Sequence, residues 1–531
     1  MAPNVLKSNP PEQVQVAQEE APKLRHVTWY KDPGLRKLYA CCIVVCMSSA
    51  TTGYDGSMLN GLQILPVWQD YFQHPHGSLL GLFGSIYSIG NLAGLPFAPY
   101  IADRYGRKLA IAIGCCILFV GCAVQGASHN FKMFIAARFF VGLGCSISQG
   151  AAPLLITEIC HPQHRGRVTA AYNTLWYFGA IIATWTTFGT FKINNNWCWR
   201  IPSILQAAPS LFQIIFLYFV PESPRWLLSK DRDQDALNML AKYHASGDMN
   251  DATVQFEFHE IRETLHLEKR HKKQSSYLDF LRTKGNRRRL LTLLSLGLFS
   301  QWSGNGLTGY YFAIVMDGIG ITDKDTQFIL SGCLNIKSLI VALLVATLVD
   351  RVGRRPLFIT ATAGMFVIFV LWTACSGLYD TEGNKAAGKA VVAFVFLFGV
   401  MYNFAWNGLM MAYAVEILPY KIRAKGIMLL NLFVQAALVF NQYINPIGLA
   451  SLLPHWRFYA IYCGWLVFEL IFVYFFYLET RGPTLEEIAK IFDGDEAEVA
   501  HIDQDMVDEK IGAVHVEELP ADEAQVHVKQ A

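Results

Sequence analysis

The sequence predicts an all-α membrane protein whose twelve transmembrane helices form two pseudo-symmetric bundles of six. Three observations lead to this fold class. The chain of 531 residues is 53% apolar and only 16% charged, whereas an average soluble domain is about 45–50% apolar and about 25% charged. Apolar segments of membrane-spanning length recur twelve times, and three charged motifs recur in the same order in both halves of the chain.

Each apolar segment holds about 20 residues, which is the length of helix that crosses a hydrocarbon core about 30 Å thick. These segments are called spans 1 to 12. They lie near residues 38–62, 80–100, 109–127, 132–154, 169–190, 201–220, 290–316, 327–349, 357–377, 390–413, 427–449 and 457–477.

The spans divide the chain into five regions. A cytoplasmic N-terminal segment (1–36) precedes the first bundle (37–221), an insert (222–289) leads to the second bundle (290–480), and a cytoplasmic tail (481–531) follows. The insert alternates charged and apolar residues at helical spacing, which predicts amphipathic helices. The tail is acidic and poor in aromatic residues, so we expect most of it to be disordered.

Three charged motifs occur once in each half. DRYGRK follows span 2 and DRVGRR follows span 8. A glutamate precedes a basic cluster after spans 4 and 10, and a second glutamate closes spans 6 and 12. These residues are Glu158, Glu416, Glu222 and Glu479. The repetition indicates that one half of the fold repeats the other.

The distribution of Lys and Arg predicts the orientation. The loops after spans 2, 4, 8 and 10 hold eleven of these residues, whereas the six alternate loops hold about seven. Lys and Arg are concentrated in cytoplasmic loops. The four-loop side, both termini and the insert are therefore predicted to be cytoplasmic.

Several classes of protein are disfavoured. With 44 Lys and Arg against 42 Asp and Glu, the net charge is +2, which gives no general attraction to nucleic acid. The twelve cysteines form no CxxC pair, and neither a P-loop nor a GxSxG motif is present. We therefore expect no enzymatic activity, no catalytic residues, no metal and no cofactor.

The motifs resemble those of a known family. DRYGRK, DRVGRR, PESPRWLL, LETRGPTLEEI and QWSGNGLTGYY together resemble the sugar porter branch of the major facilitator superfamily, over about residues 35 to 492. PRWLLSKDRDQDALNMLAKYH with QWSGNG is most similar to fungal lactose and cellodextrin permeases. The resemblance implies the major facilitator fold and a cell-membrane transporter that imports a sugar, such as lactose or cellobiose, by alternating access.

The charged loops are interpreted as a breakable latch on the cytoplasmic face. Exposed ion pairs contribute only about 0–1 kcal/mol each, but a shielded network biases a conformational equilibrium by more. The alternative is that these residues only set topology, although acidic residues contribute little to topology. The latch residues are Asp103, Arg104, Arg107, Glu158, Arg165, Glu222, Arg225, Asp350, Arg354, Arg355, Glu416, Arg423 and Glu479.

Asp55 lies inside span 1, where an ionised carboxylate costs roughly 2.5–3.5 kcal/mol. It lies roughly 14 Å below the outer end of its span, and Arg138 lies roughly 9 Å below the outer end of span 4, so the two can pair. The resemblance implies a proton-coupling role, because proton symporters of this branch have an Asp and an Arg at the matching positions. The alternative is a static ion pair that stabilises the bundle.

A sugar site should be polar without being charged. Span 7 supplies Gln301, Asn305, Tyr310 and Tyr311 in a helix interrupted by glycines. Further candidates on other spans are Thr174, Trp406, Asn407, Asn431 and Gln435. Compared with monosaccharide carriers, the chain has fewer large side chains here, which favours a roomier pocket. The alternative is that some of these amides only join helices.

Lys337 in span 8 departs from the family pattern. It lies about 20 Å from the cytoplasmic face, and Glu469 in span 12 lies at about 15 Å and is a candidate partner. If Lys337 instead faces the cavity, an acidic sugar becomes a candidate substrate.

The leading hypothesis is proton-coupled uptake of a sugar, with a sugar, a proton and the lipid bilayer as the only expected partners. Three alternatives remain: a facilitative hexose carrier that does not need Asp55, a sugar-acid carrier that uses Lys337, and a sugar-sensing receptor that resembles a transporter. The sequence leaves the oligomeric state open.

Overall fold

The computed structural model describes residues 27–274, 276–481 and 491–492, with side chains except at 170, 267–274, 346–351, 420 and 421. In these ranges the chain forms helices joined by turns, and no β-strand is present. The acidic tail predicted to be disordered lies almost entirely outside the described residues.

Six spans form the N-terminal half. They are span 1 (Pro33–Ile64), the bent span 2 (Gly77–Gly94 and Phe97–Tyr105), span 3 (Arg107–Gly126), span 4 (Phe131–Ile159), span 5 (Arg165–Thr190) and span 6 (Trp197–Leu205, Ala208–Phe216 and the 3-10 turn Leu217–Phe219). A short helix, Pro66–Tyr71, follows span 1, and the 3-10 turn Pro162–His164 precedes span 5.

Six spans form the C-terminal half, and two of them are interrupted. They are span 7 (Lys284–Trp302, Asn305–Gly309 and Phe312–Gly318), span 8 (Lys324–Val352), span 9 (Arg354–Glu382), span 10 (Lys385–Ala405 and Met410–Ile417), span 11 (Tyr420–Ser451) and span 12 (Trp456–Phe476).

The insert forms four helices between the halves: Pro224–Ser229, Asp233–His244, Ala252–Gln274 and Asp279–Arg282. We call the side of the molecule on which the insert lies the insert face, and the other side the opposite face. The insert contacts the N-terminal half through the His244 ring, whose Nε2 lies 3.1 Å from the backbone oxygen of Ile159.

The starts of the spans follow from local chemistry. Asp32 precedes span 1 and its carboxylate accepts the backbone N–H groups of Gly34 and Leu35, at 2.7 and 3.2 Å. Pro33 occupies the first helical position, where a missing N–H costs nothing. Asn130 caps span 4 in the same way by accepting the backbone N–H of Met133.

The spans fit a membrane in length and composition. Among the described residues, eight stretches are long and apolar enough to cross it, and the bent span 2 makes a ninth. Spans 1, 5 and 7 complete the twelve. They are less continuous or less apolar than the others, since span 7 is interrupted and spans 1 and 5 carry buried polar residues such as Asp55 and Thr184. The prediction of an all-α, twelve-helix membrane protein is confirmed.

The two halves meet along two pairs of spans, span 2 with span 11 and span 5 with span 8. The Ser88 hydroxyl donates to Gln442 Oε1 at 2.6 Å, and Asn335 Nδ2 donates to Thr184 Oγ1 at 3.0 Å. These contacts run from the opposite face to about mid-span. They surround the polar residues at the centre of the membrane region.

Candidate functional site

A buried ion pair occupies the interior of the N-terminal half. Asp55 Oδ1 on span 1 lies 3.6 Å from Arg138 Nη1 on span 4, and both side chains are at most 3% exposed. Gln206 of span 6 donates its Nε2 to the same carboxylate oxygen. The Arg138 guanidinium lies over the Tyr87 ring, 5.7 Å from its centre. The structure therefore brings together the two residues expected to couple protons, and adds Gln206 and Tyr87, which the sequence did not single out.

The pair is not fully satisfied by protein groups. Asp55 Oδ2, Arg138 Nε and Gln206 Oε1 are buried and have no hydrogen-bond partner in the described part of the chain. Buried polar atoms without partners are rare in native proteins, so each one requires an explanation. The two side chains are also slightly too far apart for a strong direct hydrogen bond, so a small movement of span 1 or span 4 changes the interaction.

Span 7 is interrupted at the centre of the C-terminal half, as its glycines predict. Gly304 adopts φ +99°, a left-handed conformation that residues with a Cβ rarely adopt. The break frees backbone oxygens that other spans then use. Tyr402 of span 10 donates its hydroxyl to the Ser300 oxygen at 2.7 Å, and Asn441 of span 11 donates to the Gln301 oxygen.

Polar side chains converge on this break. Asn305 donates its Nδ2 to the Tyr402 hydroxyl at 3.2 Å, and its Oδ1 is buried without a partner among the described residues. Gln301 Nε2 lies 3.3 Å from Ser300 Oγ. The predicted residues Gln301 and Asn305 therefore border one polar cluster with Tyr402.

Span 11 contributes amides that the sequence reasoning missed. Asn445 donates to Asn441, and Tyr462 of span 12 donates to Asn445 at 2.5 Å. A Cβ on Gly306 would lie 2.7 Å from both amides, so only a glycine lets span 11 approach this closely. The signal was the sequence NQYIN, which places Asn441 and Asn445 on one helix face.

The residues predicted on span 11 lie nearer the insert face. Gln435 has a buried Oε1 with no hydrogen-bond partner in the described chain. Asn431 lies one turn closer to the insert face and is half-buried. Within the described part of the chain, neither forms a hydrogen bond to Gln301 or Asn305.

A second polar contact joins the halves at mid-span. Tyr177 of span 5 donates its hydroxyl to Asn403 Oδ1 on span 10, and Asn407 donates its Nδ2 to the Tyr177 oxygen. Asn407 was predicted, whereas Tyr177 and Asn403 were not. Thr174 lies one turn from Tyr177 on the same helix face.

Three predicted aromatic residues have other surroundings. Trp406 is fully buried between Phe299 and Phe358, and its indole N–H donates to Thr362 Oγ1 at 3.2 Å. Tyr311 is fully buried and donates its hydroxyl to the backbone oxygen of Gln442. The structure therefore places these two in the helix core. Tyr310 is half-buried, and its backbone oxygen accepts Gln63 Nε2 of span 1 at 2.9 Å.

The suggested pairing of Lys337 with Glu469 is wrong. Lys337 Nζ donates to the backbone oxygen of Phe396 on span 10 at 3.1 Å. Glu469 instead contacts Ser303 of span 7, at 3.0 Å from each carboxyl oxygen. The two side chains share a depth but point towards different spans.

Several of the predicted latch residues form ion pairs within each half. In the N-terminal half, Arg107 Nε lies 3.0 Å from Glu158, and Arg107 Nη1 lies 3.3 Å from Asp103. Glu222 accepts the backbone N–H groups of Arg107 and Lys108, at 3.1 and 3.2 Å. Burial raises the pKa of the Glu222 carboxyl, while these backbone donors and the Arg107 charge oppose that shift.

The C-terminal half repeats the arrangement. Arg354 Nη2 lies 2.9 Å from Glu416, and Glu479 accepts the backbone N–H groups of Arg354 and Arg355, at 3.0 and 3.1 Å. Arg423 Nε donates to the backbone oxygen of Leu418 at 3.2 Å, and Arg225 also has an interaction partner. Arg104 lies over the Tyr105 ring, and Arg165 is exposed. The Asp350 side chain lies outside the described residues.

Twelve spans in two repeated halves, with a polar centre between them and matched ion pairs at one face, define a multi-pass transporter of the major facilitator type. The chain belongs to the family described as "Sugar (and other) transporter", whose family model matches residues 41–492. It is a sugar porter and not an enzyme.

Comparison with known proteins agrees with this family. The chain is 30% identical over 467 residues to the MFS-type transporter criB of Aspergillus cristatus, covering 87% of this chain and 94% of criB. It is 26% identical over 489 residues to the high-affinity glucose transporter of Kluyveromyces lactis, covering 88% and 87% of the two chains.

Among solved structures, the proton:xylose symporter XylE of E. coli with bound 6-bromo-6-deoxy-D-glucose has the same fold, with a TM-score of 0.68 at 21% identity. The match covers 86% of this chain and 99% of that chain. None of these three relatives is described as a lactose or cellodextrin permease, so the finer resemblance stays a prediction.

Proposed function

We propose that the protein imports a neutral sugar together with a proton, and that Asp55 carries the proton. The observation that supports this most is the buried contact between Asp55 Oδ1 and Arg138 Nη1 at 3.6 Å. Burial favours the protonated carboxyl, whereas the guanidinium favours the carboxylate. A change in the Arg138 contact therefore changes the proton affinity of Asp55.

The surroundings of span 1 suggest how the proton and the sugar are coupled. Span 1 carries Asp55, and two turns further Gln63 donates to the Tyr310 oxygen in the interrupted span 7. A movement of span 1 that follows protonation is thus transmitted to the helix that carries Gln301 and Asn305. One proton moved down a potential of 100 mV supplies about 2.3 kcal/mol, which drives roughly 50-fold accumulation.

The chemistry of the polar cluster supports a neutral, hydroxyl-rich substrate. Gln301, Asn305, Asn441 and Asn407 offer amide donors and acceptors, and Tyr402 offers a hydroxyl. Lys337 is bound to a backbone oxygen of span 10, which disfavours the sugar-acid alternative. The relatives named for glucose and xylose make a monosaccharide the first substrate to test, with lactose and cellobiose as the disaccharides that the sequence motifs favour.

We propose the membrane orientation from the loop charges. The insert face, with both termini, would be cytoplasmic at the cell membrane, because the loops on that face hold most of the Lys and Arg residues. Accessibility labelling of single cysteines introduced at exposed positions on each face would test this orientation.

The test uses cells that lack their own sugar uptake. Labelled glucose, xylose, lactose and cellobiose are supplied to cells that express the chain, and the external pH is recorded. The proposal expects that sugar uptake makes the medium more alkaline. Asp55→Asn is expected to abolish sugar accumulation. Asp70→Asn is the matched control, because Asp70 is exposed outside the spans. Uptake by Asp55→Asn at the normal level, with no pH change in either protein, would establish facilitation, and binding without uptake would establish a sensor.

A further inference from the structure

A second carboxyl group lies inside the membrane and has no part in the proton coupling described above. Glu469 is on span 12 and is fully buried. Both of its oxygens lie 3.0 Å from Ser303 Oγ, at the point where span 7 is interrupted. In the described part of the chain it forms no ion pair, in contrast to Asp55 with Arg138.

The hydrogen atoms at this contact can be counted. A serine hydroxyl has one hydrogen, and Ser303 Oγ lies within hydrogen-bond distance both of the backbone oxygen of Phe299, one turn earlier in span 7, and of the Glu469 carboxyl. An ionised carboxylate only accepts hydrogen bonds. The serine hydrogen can serve only one of these two acceptors, so both contacts of Ser303 Oγ are hydrogen bonds only if the carboxyl group supplies the second hydrogen.

We infer that Glu469 binds a proton that stays in place during transport, and that the neutral carboxylic acid donates to Ser303 and fixes the break in span 7. Glu469 is thus a proton-binding site of the C-terminal half and a positioning residue for the sugar site. Its effect passes through Ser303 and Gly304 to Asn305, which begins the middle segment of the span.

The groups around Glu469 agree with a neutral acid. Span 7 presents Ser303, and span 10 presents Tyr402. Tyr477, just beyond span 12, is the other ionisable neighbour. Span 9 packs on span 12 with aromatic rings and the Thr373 hydroxyl. No described neighbour is a cation that could compensate an ionised carboxylate, and burying such a charge alone costs far more than burying a hydrogen-bonded acid.

The transport test compares three substitutions. Glu469→Gln keeps the size of the side chain and a donor for Ser303, so uptake is expected within about twofold of wild type and with the same pH profile. Glu469→Ala removes the donor and leaves a cavity, so the KM for sugar is expected to rise about tenfold or more. Glu469→Asp keeps the acid but shortens it, so its KM is expected to lie between these two. All rates are corrected for the amount of protein in the membrane. This comparison rests on the proposed function, because it needs a transported sugar.

A second measurement does not depend on transport. Infrared spectra of the purified full-length protein are recorded from about pH 5 to about pH 8, where an ordinary glutamate is ionised. The inference expects a carbonyl band of a protonated carboxyl that persists across this range, is absent from Glu469→Gln, and shifts in Ser303→Ala. If the Glu469→Gln protein cannot be purified, a shift of the band in Ser303→Ala still assigns the band to Glu469.

The outcomes separate the two proposals. Loss of the band at about pH 8, or a Glu469→Gln variant as impaired as Glu469→Ala, would overturn the inference about Glu469. A wild-type protein that moves no sugar but keeps the persistent band would contradict the proposed function and leave the inference supported.

Discussion

The two halves carry matched ion pairs at the insert face and different carboxyl groups inside the membrane. Arg107 with Glu158 in one half corresponds to Arg354 with Glu416 in the other. Inside, Asp55 faces a guanidinium, whereas Glu469 faces a single serine hydroxyl.

This difference shows that the neighbours of a buried carboxyl, more than its depth, decide what it can do. A carboxyl beside a cation has two protonation states that burial and charge balance against each other. A carboxyl beside one hydroxyl has a single favourable state. The N-terminal half therefore has the elements of a proton carrier, and the C-terminal half has a fixed polar frame around the break in span 7.

The largest effect is expected from disturbing that frame directly. Gly306→Val would place a side chain where even a Cβ alone would lie only 2.7 Å from the Asn441 and Asn445 amides. Span 11 must then move away from span 7, and misplacing substrate-binding groups by about 1 Å commonly costs orders of magnitude. The expected result is a KM for sugar raised about tenfold or more.

Gly309→Val is the matched control for this measurement. Gly309 is on the same short helix, and a Cβ there meets nothing within 4 Å. Equal KM values for the two variants would show that the close approach of span 11 does not shape the site.

An intermediate effect is expected where the two halves meet at mid-span. Tyr177→Phe removes the hydroxyl that contacts Asn403 and Asn407 on span 10. One such hydrogen bond is worth about 1 kcal/mol, which corresponds to about a fivefold rise in the KM for sugar uptake.

Tyr172→Phe controls for the loss of a hydroxyl from the same span, because the buried Tyr172 hydroxyl has no partner among the described residues. It should leave the KM unchanged. If Tyr177→Phe behaves as this control does, the contact between the halves does not influence sugar binding.

The smallest effect is expected at the junction of the insert with the N-terminal half, which has a pH dependence of its own. Burial and the neighbouring His244 lower the pKa of His161 from 6.5 to about 4. Because the folded pKa is depressed, the stability that neutral His161 contributes is present above about pH 6.5 and is lost as the pH falls towards about 4. In His161→Gln, the unfolding temperature should therefore fall by a few degrees less than in wild type over the same pH range.

Thermal unfolding of the detergent-purified protein at several pH values measures this effect. The exposed His259 gives the control His259→Gln, which should leave the pH dependence of wild type unchanged. A wild-type profile that is flat over this range would contradict the assignment to His161.

The sequence was sufficient for the fold because hydropathy and repeated loop motifs determine which segments cross the membrane and in what order. It also gave the pairing of Asp55 with Arg138, since depth along two helices can be counted from residue numbers. Depth does not give the direction in which a side chain points. Lys337 and Glu469 lie at similar depths, yet Lys337 points to span 10 and Glu469 to span 7.

The same limit explains the residues that were missed. Tyr177 and Tyr402 lie in mainly apolar stretches, and the NQYIN sequence places Asn441 on a helix face without telling which span that face meets. Trp406 was expected at the sugar site, but Thr362 accepts its indole N–H in the helix core. Only the packing of the spans separates core residues from those that border the polar cluster.

The most direct test of the account measures sugar and proton movement together in vesicles that contain the purified protein. With an inward proton gradient, wild type should accumulate sugar above its external concentration and take up protons with it. Asp55→Asn should equilibrate sugar without accumulating it, and Glu469→Gln should behave as wild type does. Accumulation of sugar by Asp55→Asn under the same gradient would contradict the central claim that Asp55 carries the coupled proton.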